Sequence, residues 1–366
     1  MNSSSLMRRA VELAWRGQGH VEPNPMVGCV FTDADGAVIG EGYHQQFGGP
    51  HAEVVALDSL AVGVTPHTAH VTLEPCSHHG KTPPCADALI QAGVQRVVVG
   101  IEDPNPAVAG KGIARMREAG IEVTIGEGSE LATHQLAPYL KGVQQGQPWV
   151  IAKWAMTLDG KIATTTGNSQ WISNEASRAV VHQIRGRVDG IAVGLETALQ
   201  DDPLLTARPA GPRVAGRVVF DRKARLPLNG KLVQTIGDAA VIVVAGVDAA
   251  ASQVAALTSA GCQVIQIADG EPEPFVGSAL TQLHELGMTN LLVEGGSELF
   301  GSFMTGGHID EVHAFIAPTL VGGQHAKSPI AGQGVSRIID GTKLSGMNVE
   351  KLGDNIYVSG RVVREG

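Results

Sequence analysis

Five residues in the N-terminal third have the types and spacing of a catalytic metal site. His51 and Glu53 form an H-x-E pair, and Pro75-Cys76 is followed by Cys85. One imidazole and two thiolates can hold a tetrahedral zinc ion that keeps its fourth position for water. A glutamate beside such a metal, but not bound to it, can carry protons between that water and a departing amine. The pattern is typical of zinc-dependent nucleobase deaminases and predicts hydrolytic deamination.

The spacing of the two cysteines departs from the common deaminase motif. Eight residues, SHHGKTPP, separate Cys76 from Cys85, where the usual motif has two. A loop of this length can still return the second thiolate to the metal. A structural zinc site is the alternative, but it would give Glu53 no task. The inserted loop also places polar side chains suited to a phosphate or a polar ring at the mouth of the site: His78, His79, Lys81 and Thr82.

A second candidate site lies far along the chain, at the sequence EGGSEL of residues 294–299. It follows the apolar run 290–293 and precedes a helical pattern. Glycines at such a junction let phosphate oxygens approach the backbone N–H groups of a helix N-terminus. An ordinary tight turn explains the same glycines equally well. No G-x-G-x-x-G fingerprint occurs after residue 147, so a Rossmann fold has little support.

The elements that must position these residues follow an alternating α/β pattern. We expect a helix over residues 3–16, a helix beginning near His51, a strand over 70–73 and a helix over 85–91. A new alternating series begins at Trp149, and residues 349–363 predict two strands with a turn at 353–355. The polar segment GVQQGQP between the two series predicts a boundary, with a first domain over residues 1–146 and a second over 147–366.

Composition and charge restrict the function further. The formal net charge is −9, which argues against a long nucleic-acid footprint because such proteins normally carry a basic face. The N-terminus lacks the apolar core of a signal peptide, and no apolar run is as long as a membrane span. The 4 cysteines are too few and too scattered for a disulfide framework. We therefore expect a cytoplasmic protein that binds neither membranes nor nucleic acid.

Three segments of the first domain resemble a known family. Residues 22–29 (EPNPMVGC), 49–53 (GPHAE) and 73–85 (LEPCSHHGKTPPC) are similar to the deaminase domain of the bifunctional riboflavin-biosynthesis deaminase/reductases. The resemblance implies a cytidine-deaminase-like three-layer domain, with Glu53 as the proton carrier. It implies Zn²⁺ ligation by His51, Cys76 and Cys85, and substrate contacts at Asn24, His78 and Lys81. For Asn24, a turn position between two prolines is the alternative.

The second domain resembles the reductase half of the same family in residues 153–161 (KWAMTLDGK), 169–173 (SQWIS), 189–195 (DGIAVGL) and 197–206 (TALQDDPLLT). The resemblance implies a dihydrofolate-reductase-like α/β fold that uses NADPH. The implied cofactor contacts are Ala155, Trp171, Thr197, Asp201, Gly295, Gly296, Ser297, Glu298, Leu299, Phe300 and Gly301. The implied substrate contacts are Lys153, Ser169, Arg185, Leu205, Arg208 and Glu294. Surface ion pairs for the arginines and a core position for Trp171 are the alternatives.

Together the resemblances imply two successive reactions on one phosphorylated pyrimidine. The first is zinc-dependent deamination of 2,5-diamino-6-ribosylamino-pyrimidinone 5′-phosphate, and the second is NADPH-dependent reduction of the ribosylamino group to ribitylamino. Among the ionisable candidates, Asp201 is our choice for proton handling. The family association also implies a homo-oligomer, as a dimer. Two alternatives stay open: a tRNA deaminase with an accessory domain, and a protein that keeps one of the two activities.

Overall fold

The computed structural model describes residues 3–77, 83–268 and 272–364. The chain divides into two compact units, which we call unit 1 (Met1–Gly146) and unit 2 (Gln147–Gly366). The last helix of unit 1 ends at Gly146, which adopts a left-handed conformation with φ of 63°. Glycine adopts this conformation without a steric penalty, so the helix ends here, and unit 2 begins at the next residue.

Unit 1 has helices on both faces of a sheet of five strands within its described residues, in the order β2-β1-β3-β4-β5. Its strands are β1 (Gly28–Thr32), β2 (Val38–Tyr43), β3 (Thr68–Leu73), β4 (Arg96–Ile101) and β5 (Glu122–Ile125). Its helices are α1 (Ser3–Ala14), α2 (Ala52–Asp58), α3 (Cys85–Gln91), α4 (Lys111–Glu118) and α5 (Ser129–Gln145). β1 is antiparallel to β2 and β3, whereas β3, β4 and β5 are parallel.

The core of unit 1 explains this layering. On one face of the sheet, Phe31 and Val71 pack with Ala52 and Ala56 of α2, which fixes the helix that carries Glu53. On the other face, Leu6, Met7, Ala10 and Leu13 of α1 pack with Val30 and Val98. Apolar side chains on both faces of a sheet require a helix layer on each side. The predicted three-layer α/β domain is confirmed.

Unit 2 is built on a longer sheet, which within the described residues has the order β10-β9-β8-β7-β11-β6-β12-β14-β13. Its strands are β6 (Trp149–Thr157), β7 (Gly190–Gly194), β8 (Gly216–Phe220), β9 (Val241–Gly246), β10 (Gln263–Ile267), β11 (Asn290–Gly295), β12 (Glu311–Ala317), β13 (Leu344–Leu352) and β14 (Asn355–Val362). Its helices are α6 (Glu175–Arg185), α7 (Leu195–Asp201), α8 (Lys231–Gln234), α9 (Ala251–Ser259), α10 (Pro272–Glu285) and α11 (Ser297–Thr305).

The first seven strands in this sheet order, from β10 through β6 to β12, are parallel to one another. β14 is antiparallel to β12. The carboxyl ends of the parallel strands therefore lie at one edge, where open α/β sheets bind ligands. The predicted C-terminal strand pair is present, but β13 begins at Leu344 rather than near residue 349. β13 is exposed along most of its length and lacks the alternation of buried and exposed residues that marks a strand in sequence.

Candidate active sites

Three side chains of unit 1 bring metal-binding atoms together. His51 is the N-cap of α2, Cys85 is the first residue of α3, and Cys76 follows the end of β3. His51 Nδ1 lies 3.1 Å from Cys85 Sγ and 3.6 Å from Cys76 Sγ. In a tetrahedral zinc site with ordinary bond lengths, nitrogen and sulfur ligands are about 3.5 Å apart. The donor set and its spacing therefore fit zinc.

Local hydrogen bonding prepares Cys76 to act as a thiolate ligand. The backbone N–H of Cys85, at the start of α3, donates to Cys76 Sγ at 3.4 Å. The pKa of Cys76 is lowered to about 4, first by a hydrogen bond from the Cys85 side chain and then by one from His51. Burial acts in the opposite direction and is outweighed. Because the thiolate is the form that binds metals, this environment favours ligation at neutral pH.

Glu53 lies in the first turn of α2 and is only 3% exposed. Burial, together with the nearby charge of Cys76, raises the pKa of Glu53 to about 7. A carboxyl group with a pKa near neutrality can both accept and release a proton during turnover. Its position and its acidity suit the predicted proton carrier.

Two of the metal-binding residues, His51 and Cys76, line a cavity of about 410 Å³ together with Glu53. Asn24 borders this cavity, and its side-chain N–H donates to His44 Nε2 at 3.2 Å. The Asn24 backbone N–H bonds Val21 O at 2.9 Å, so this residue also forms a turn. His44 Nδ1 lies 2.9 Å from Pro50 O, and its ring is 5.3 Å from the His51 ring. Sequence reasoning missed His44, because a single histidine after a strand carries no motif.

Two further polar residues of the cavity wall also escaped the sequence analysis. The Tyr139 hydroxyl donates to Asp103 Oδ1 at 2.9 Å, and both residues line the cavity. Burial and the Asp103 charge raise the pKa of Tyr139 above its ordinary value. Two of the predicted substrate contacts, His78 and Lys81, lie outside the described residues, as do His79 and Thr82.

In unit 2, a buried ion network joins three of the predicted substrate residues. Glu294 Oε2 lies 3.0 Å from Lys153 Nζ, and Arg185 reaches both carboxylate oxygens at 2.6 and 2.7 Å. Burial alone would raise the pKa of Glu294, but the charges of Arg185 and Lys153 hold it well below its ordinary range. Arg185 is thus part of a buried cluster and not of a surface ion pair. Its Nη1 also donates to Thr206 O at 3.2 Å.

Asp201 is the last residue of α7. The Ser169 hydroxyl donates to Asp201 Oδ1 at 3.4 Å. The residue as a whole is exposed, but its carboxylate is partly desolvated, and this desolvation raises the pKa of Asp201. The hydrogen bond from Ser169 and the charge of Lys153 lower the pKa by less. This carboxyl group therefore holds a proton more readily than an ordinary aspartate does.

The glycine pair predicted to contact the cofactor lies at the junction of β11 and α11. Gly295 has a φ of 143°, and Gly296 is the N-cap of α11. A Cβ at Gly296 would lie 3.1 Å from Thr197 Oγ1, so the start of α7 approaches the same junction. The structure thus brings Thr197 together with Gly295 and Gly296, which are distant from it in sequence.

The other residues predicted to contact ligands in unit 2 occupy varied environments. Trp171 is 73% exposed, with the Arg178 guanidinium 4.9 Å from its ring centre, so its alternative as a core residue is wrong. Ala155 is half-buried on β6, and Arg208 is exposed. Farther from the surface are Leu205 and Phe300, which are 3% and 1% exposed. Gly301 packs against the backbone of Ala331, because a Cβ there would lie 2.6 Å from the Ala331 oxygen.

His182 is a residue of unit 2 that sequence reasoning did not single out. The Arg208 backbone N–H donates to His182 Nδ1 at 3.2 Å. Burial and the neighbouring charges of Arg185 and Arg208 lower the pKa of His182, so the neutral ring accepts this bond. His182 and Arg185 lie one helical turn apart and together hold residues 206–208 against α6. Only the fold shows this pairing.

The fold and the His/Cys/Cys cluster beside a buried glutamate define a zinc-dependent deaminase unit of the cytidine-deaminase type, joined to a second α/β unit. Residues 1–101 match the family described as cytidine and deoxycytidylate deaminase zinc-binding region. Residues 148–358 match the family described as RibD C-terminal domain. The chain is 40% identical to riboflavin biosynthesis protein RibD of Actinobacillus pleuropneumoniae over 98% of this chain and 95% of that protein.

Solved structures agree with these matches. Acinetobacter baumannii RibD (form 1) superimposes with a TM-score of 0.85 at 34% identity, with 99% of both chains covered. A Thermotoga maritima diaminohydroxyphosphoribosylaminopyrimidine deaminase/5-amino-6-(5-phosphoribosylamino)uracil reductase superimposes with a TM-score of 0.82 at 36% identity, again over 99% of both chains. The chain belongs to the RibD family of riboflavin biosynthesis proteins. It is a bifunctional enzyme with deaminase and reductase activities.

No helix of the described residues is both long and apolar enough to cross a membrane.

Proposed function

We propose that unit 1 removes an amino group from a diaminopyrimidine ribosyl-phosphate by hydrolysis, and that unit 2 reduces the ribosylamino group of the product to ribitylamino. The observation that carries the first step is the cluster of His51, Cys76 and Cys85, two of which share one cavity with the buried Glu53. The substrate class comes from the activities named for the Thermotoga maritima relative, which matches 99% of this chain.

In the deaminase unit, His51, Cys76 and Cys85 would hold zinc. Zinc supplies the Lewis acidity that makes water a nucleophile near neutral pH. Glu53 takes the proton from the attacking water and returns it to the departing amine, a transfer that its pKa of about 7 permits in both directions. The cavity of about 410 Å³ is large enough to take the pyrimidine.

Polar groups at the cavity wall orient the substrate. We assign Asn24 to the pyrimidine ring, because its side chain borders the cavity and is held by His44. With its Nδ1–H directed at the Pro50 carbonyl, His44 presents Nε2 as an acceptor and so fixes the Asn24 amide. We assign His78 and Lys81 to the phosphate, from their types and from the family resemblance.

The reductase unit fits a phosphorylated dinucleotide at the junction of β11 and α11. Gly295 and Gly296 carry no side chain that would block phosphate oxygens from the backbone N–H groups at the start of α11. NADPH would supply the hydride. Its contacts would come from Ala155, Trp171, Thr197, Asp201 and the segment of Gly295, Gly296, Ser297, Glu298, Leu299, Phe300 and Gly301.

The substrate of the reductase unit would bind beside the buried ion network. Arg208 is exposed and suits a ribose-phosphate, because a guanidinium can grip phosphate oxygens in pairs. Arg185, bound to Glu294, holds the neighbouring backbone at Thr206. The other contacts we assign are Lys153, Ser169, Leu205 and Glu294. Hydride addition to the open-chain imine of the sugar also requires a proton, which we assign to Asp201 because its pKa is raised.

A paired assay tests both activities on the same protein. Purified zinc-loaded enzyme would receive the diaminopyrimidine ribosyl-phosphate, with ammonia release and NADPH oxidation followed together. We expect both signals, with NADPH oxidation dependent on prior deamination. Ammonia release without NADPH oxidation would contradict the assignment of unit 2, and the absence of both would contradict the substrate class.

We further propose that the chain forms a homodimer through β13. This strand is at the end of the sheet order and is exposed along most of its length, with Met347 51% and Val349 63% exposed. An exposed edge strand offers unpaired backbone groups to a second strand. Sedimentation analysis should show a dimer that Val349→Lys weakens, whereas Val62→Lys, at an exposed valine of unit 1, should leave it intact. A monomeric wild-type protein would contradict the proposal.

A further inference from the structure

A buried carboxylate directly precedes the Pro75-Cys76 segment that carries a zinc ligand. Glu74 is 4% exposed and lies between β3 and Cys76. Within the part of the chain that the structure describes, its side chain makes no ion pair, but it accepts four backbone hydrogen bonds. Oε1 accepts from Gly112 N at 2.9 Å and Ile113 N at 3.2 Å, and Oε2 accepts from Gly110 N at 3.0 Å and Asp103 N at 3.3 Å.

These N–H groups belong to the two ends of one segment. Gly110 is the N-cap of α4, and Gly112 and Ile113 lie in the first turn of this helix. The first N–H groups of a helix have no partner within it, and a negative charge there is favourable. Asp103 lies two residues after the end of β4. Glu74 therefore fastens residues 103–110 at both ends with a single carboxylate.

The fastened segment forms a wall of the deaminase cavity. Asp103, Asn105 and Val108 line the same cavity as Glu53 and Cys76. Between β4 and α4 this segment forms turns and irregular structure, so it has no sheet or helix of its own to fix its position. We call residues 103–110 the cavity wall segment.

A second contact links the first turn of α4, which directly follows the cavity wall segment, to the metal side of the site. The backbone of Gly112 lies directly against Pro75, since a Cβ at Gly112 would be 1.9 Å from the Pro75 oxygen. Pro75 joins Glu74 to Cys76. The Glu74 carboxylate and this backbone contact thus hold two segments of the chain together. One is the segment that carries the zinc ligand Cys76, and the other is the start of α4, which follows the cavity wall segment.

We propose that Glu74 is a positioning residue that holds the cavity wall segment in register with Cys76, and so sets the affinity of the deaminase unit for its pyrimidine. The inference rests on the proposed function of unit 1. Glu74 does not touch the reacting atoms in this role. It acts through Asp103, Asn105 and Val108, which line the cavity together with Glu53 and Cys76.

Glu74→Gln tests the role with little change of shape. The amide nitrogen of glutamine donates, so two of the four backbone N–H groups lose their acceptor and face another donor. We expect the KM for deamination to rise roughly 10- to 100-fold, because the cavity wall segment loses its fixed position and each tenfold loss of affinity corresponds to only about 1.4 kcal/mol. We expect kcat within about threefold of wild type, since this displacement alters binding rather than the proton transfer. Zinc content should be unchanged.

Two comparisons make the test specific. Glu102→Gln removes a charge from an exposed residue immediately before the cavity wall segment and should behave as wild type. Gly110→Ala disturbs the hydrogen bond between Gly110 N–H and Glu74 Oε2 without changing Glu74. Gly110 has a φ of 71°, which alanine adopts only with strain. Amide hydrogen exchange should accelerate at residues 110–113 in Glu74→Gln and Gly110→Ala, and not in Glu102→Gln.

The outcomes separate this inference from the proposed function. A KM raised in Glu74→Gln and Gly110→Ala, with zinc retained and NADPH oxidation by unit 2 intact, would support it. An unchanged KM in both variants, or a fall in kcat with unchanged KM, would overturn it. If Glu74→Gln does not fold, Gly110→Ala decides by the same criteria. Absence of ammonia release by the wild-type enzyme would instead contradict the proposed function.

Discussion

The two units assemble their sites in different ways. In unit 1, three ligand atoms lie within 4.8 Å of one another, on the starts of two helices and after a strand. In unit 2, the candidate contacts are spread over two strands (β6 and β11), three helices (α6, α7 and α11) and the segments between them, around the buried network of Glu294. A metal ion demands particular residue types at fixed distances, whereas an extended cofactor and substrate accept many separate contacts. The first kind of site is therefore sensitive to single residues, and the second to the network that shapes it.

The sharpest test of the unit 1 site is Glu53→Gln. Glutamine cannot carry a proton, so we expect ammonia release to fall about 10²- to 10⁴-fold while the zinc ligands remain intact. Zinc content and NADPH oxidation with a deaminated substrate should match wild type. Asp58→Asn, an exposed acid on the same helix, is the control and should keep full activity. Normal ammonia release by Glu53→Gln would show that Glu53 is not the proton carrier.

Cys85→Ser tests whether the long loop returns its thiolate to the metal. We expect zinc affinity to fall by more than about 100-fold, because even the outer partners of metal ligands cost about 10- to 100-fold when they are lost. Metal analysis after dialysis measures the effect. Cys262→Ser replaces a buried cysteine of unit 2 and should retain zinc. Equal zinc content in both variants would show that Cys85 is not a ligand.

Glu294→Gln breaks the network at the centre of unit 2. It leaves Lys153 and Arg185 without their buried counter-charge, and the Glu294 side chain is only 6% exposed. Removal of one partner from a buried pair costs about 3–5 kcal/mol, so we expect unit 2 to unfold at lower temperature and to lose NADPH oxidation. Ammonia release should persist. Glu196→Gln, at an exposed position on α7, is the control, and an equal effect there would count against the network.

Asp201→Asn should give the smallest change in stability and a clear loss of reduction. Because the folded-state pKa of Asp201 is raised, its ionised form slightly destabilises the fold above that pKa, and the effect disappears as the pH falls below it. The variant should therefore melt slightly higher than wild type at pH 7 and equally at low pH. NADPH oxidation should fall if Asp201 delivers the proton. Unimpaired reduction would exclude that role.

Sequence patterns predicted more of the site of unit 1 than of the site of unit 2, for a physical reason. Zinc is bound by only a few side-chain types, here histidine and cysteine, and the helix starts at His51 and Cys85 followed from local patterns. His44 and Tyr139 were not found, since neither belongs to a motif and both reach the cavity only through the packing of the sheet. The start of β13 was misplaced because an exposed edge strand lacks the alternation that a buried face imposes.

The α/β class of both units, the metal-binding residue types and the family of the chain can be inferred from the amino-acid sequence alone. They depend on local periodicity and on chemistry that few residues can perform. Three contacts became known only from the folded structure: Glu294 joins Lys153 to Arg185, Thr197 approaches Gly295 and Gly296, and Glu74 fastens the cavity wall segment. Each of these contacts joins residues far apart in sequence, and their geometry follows from how strands and helices pack.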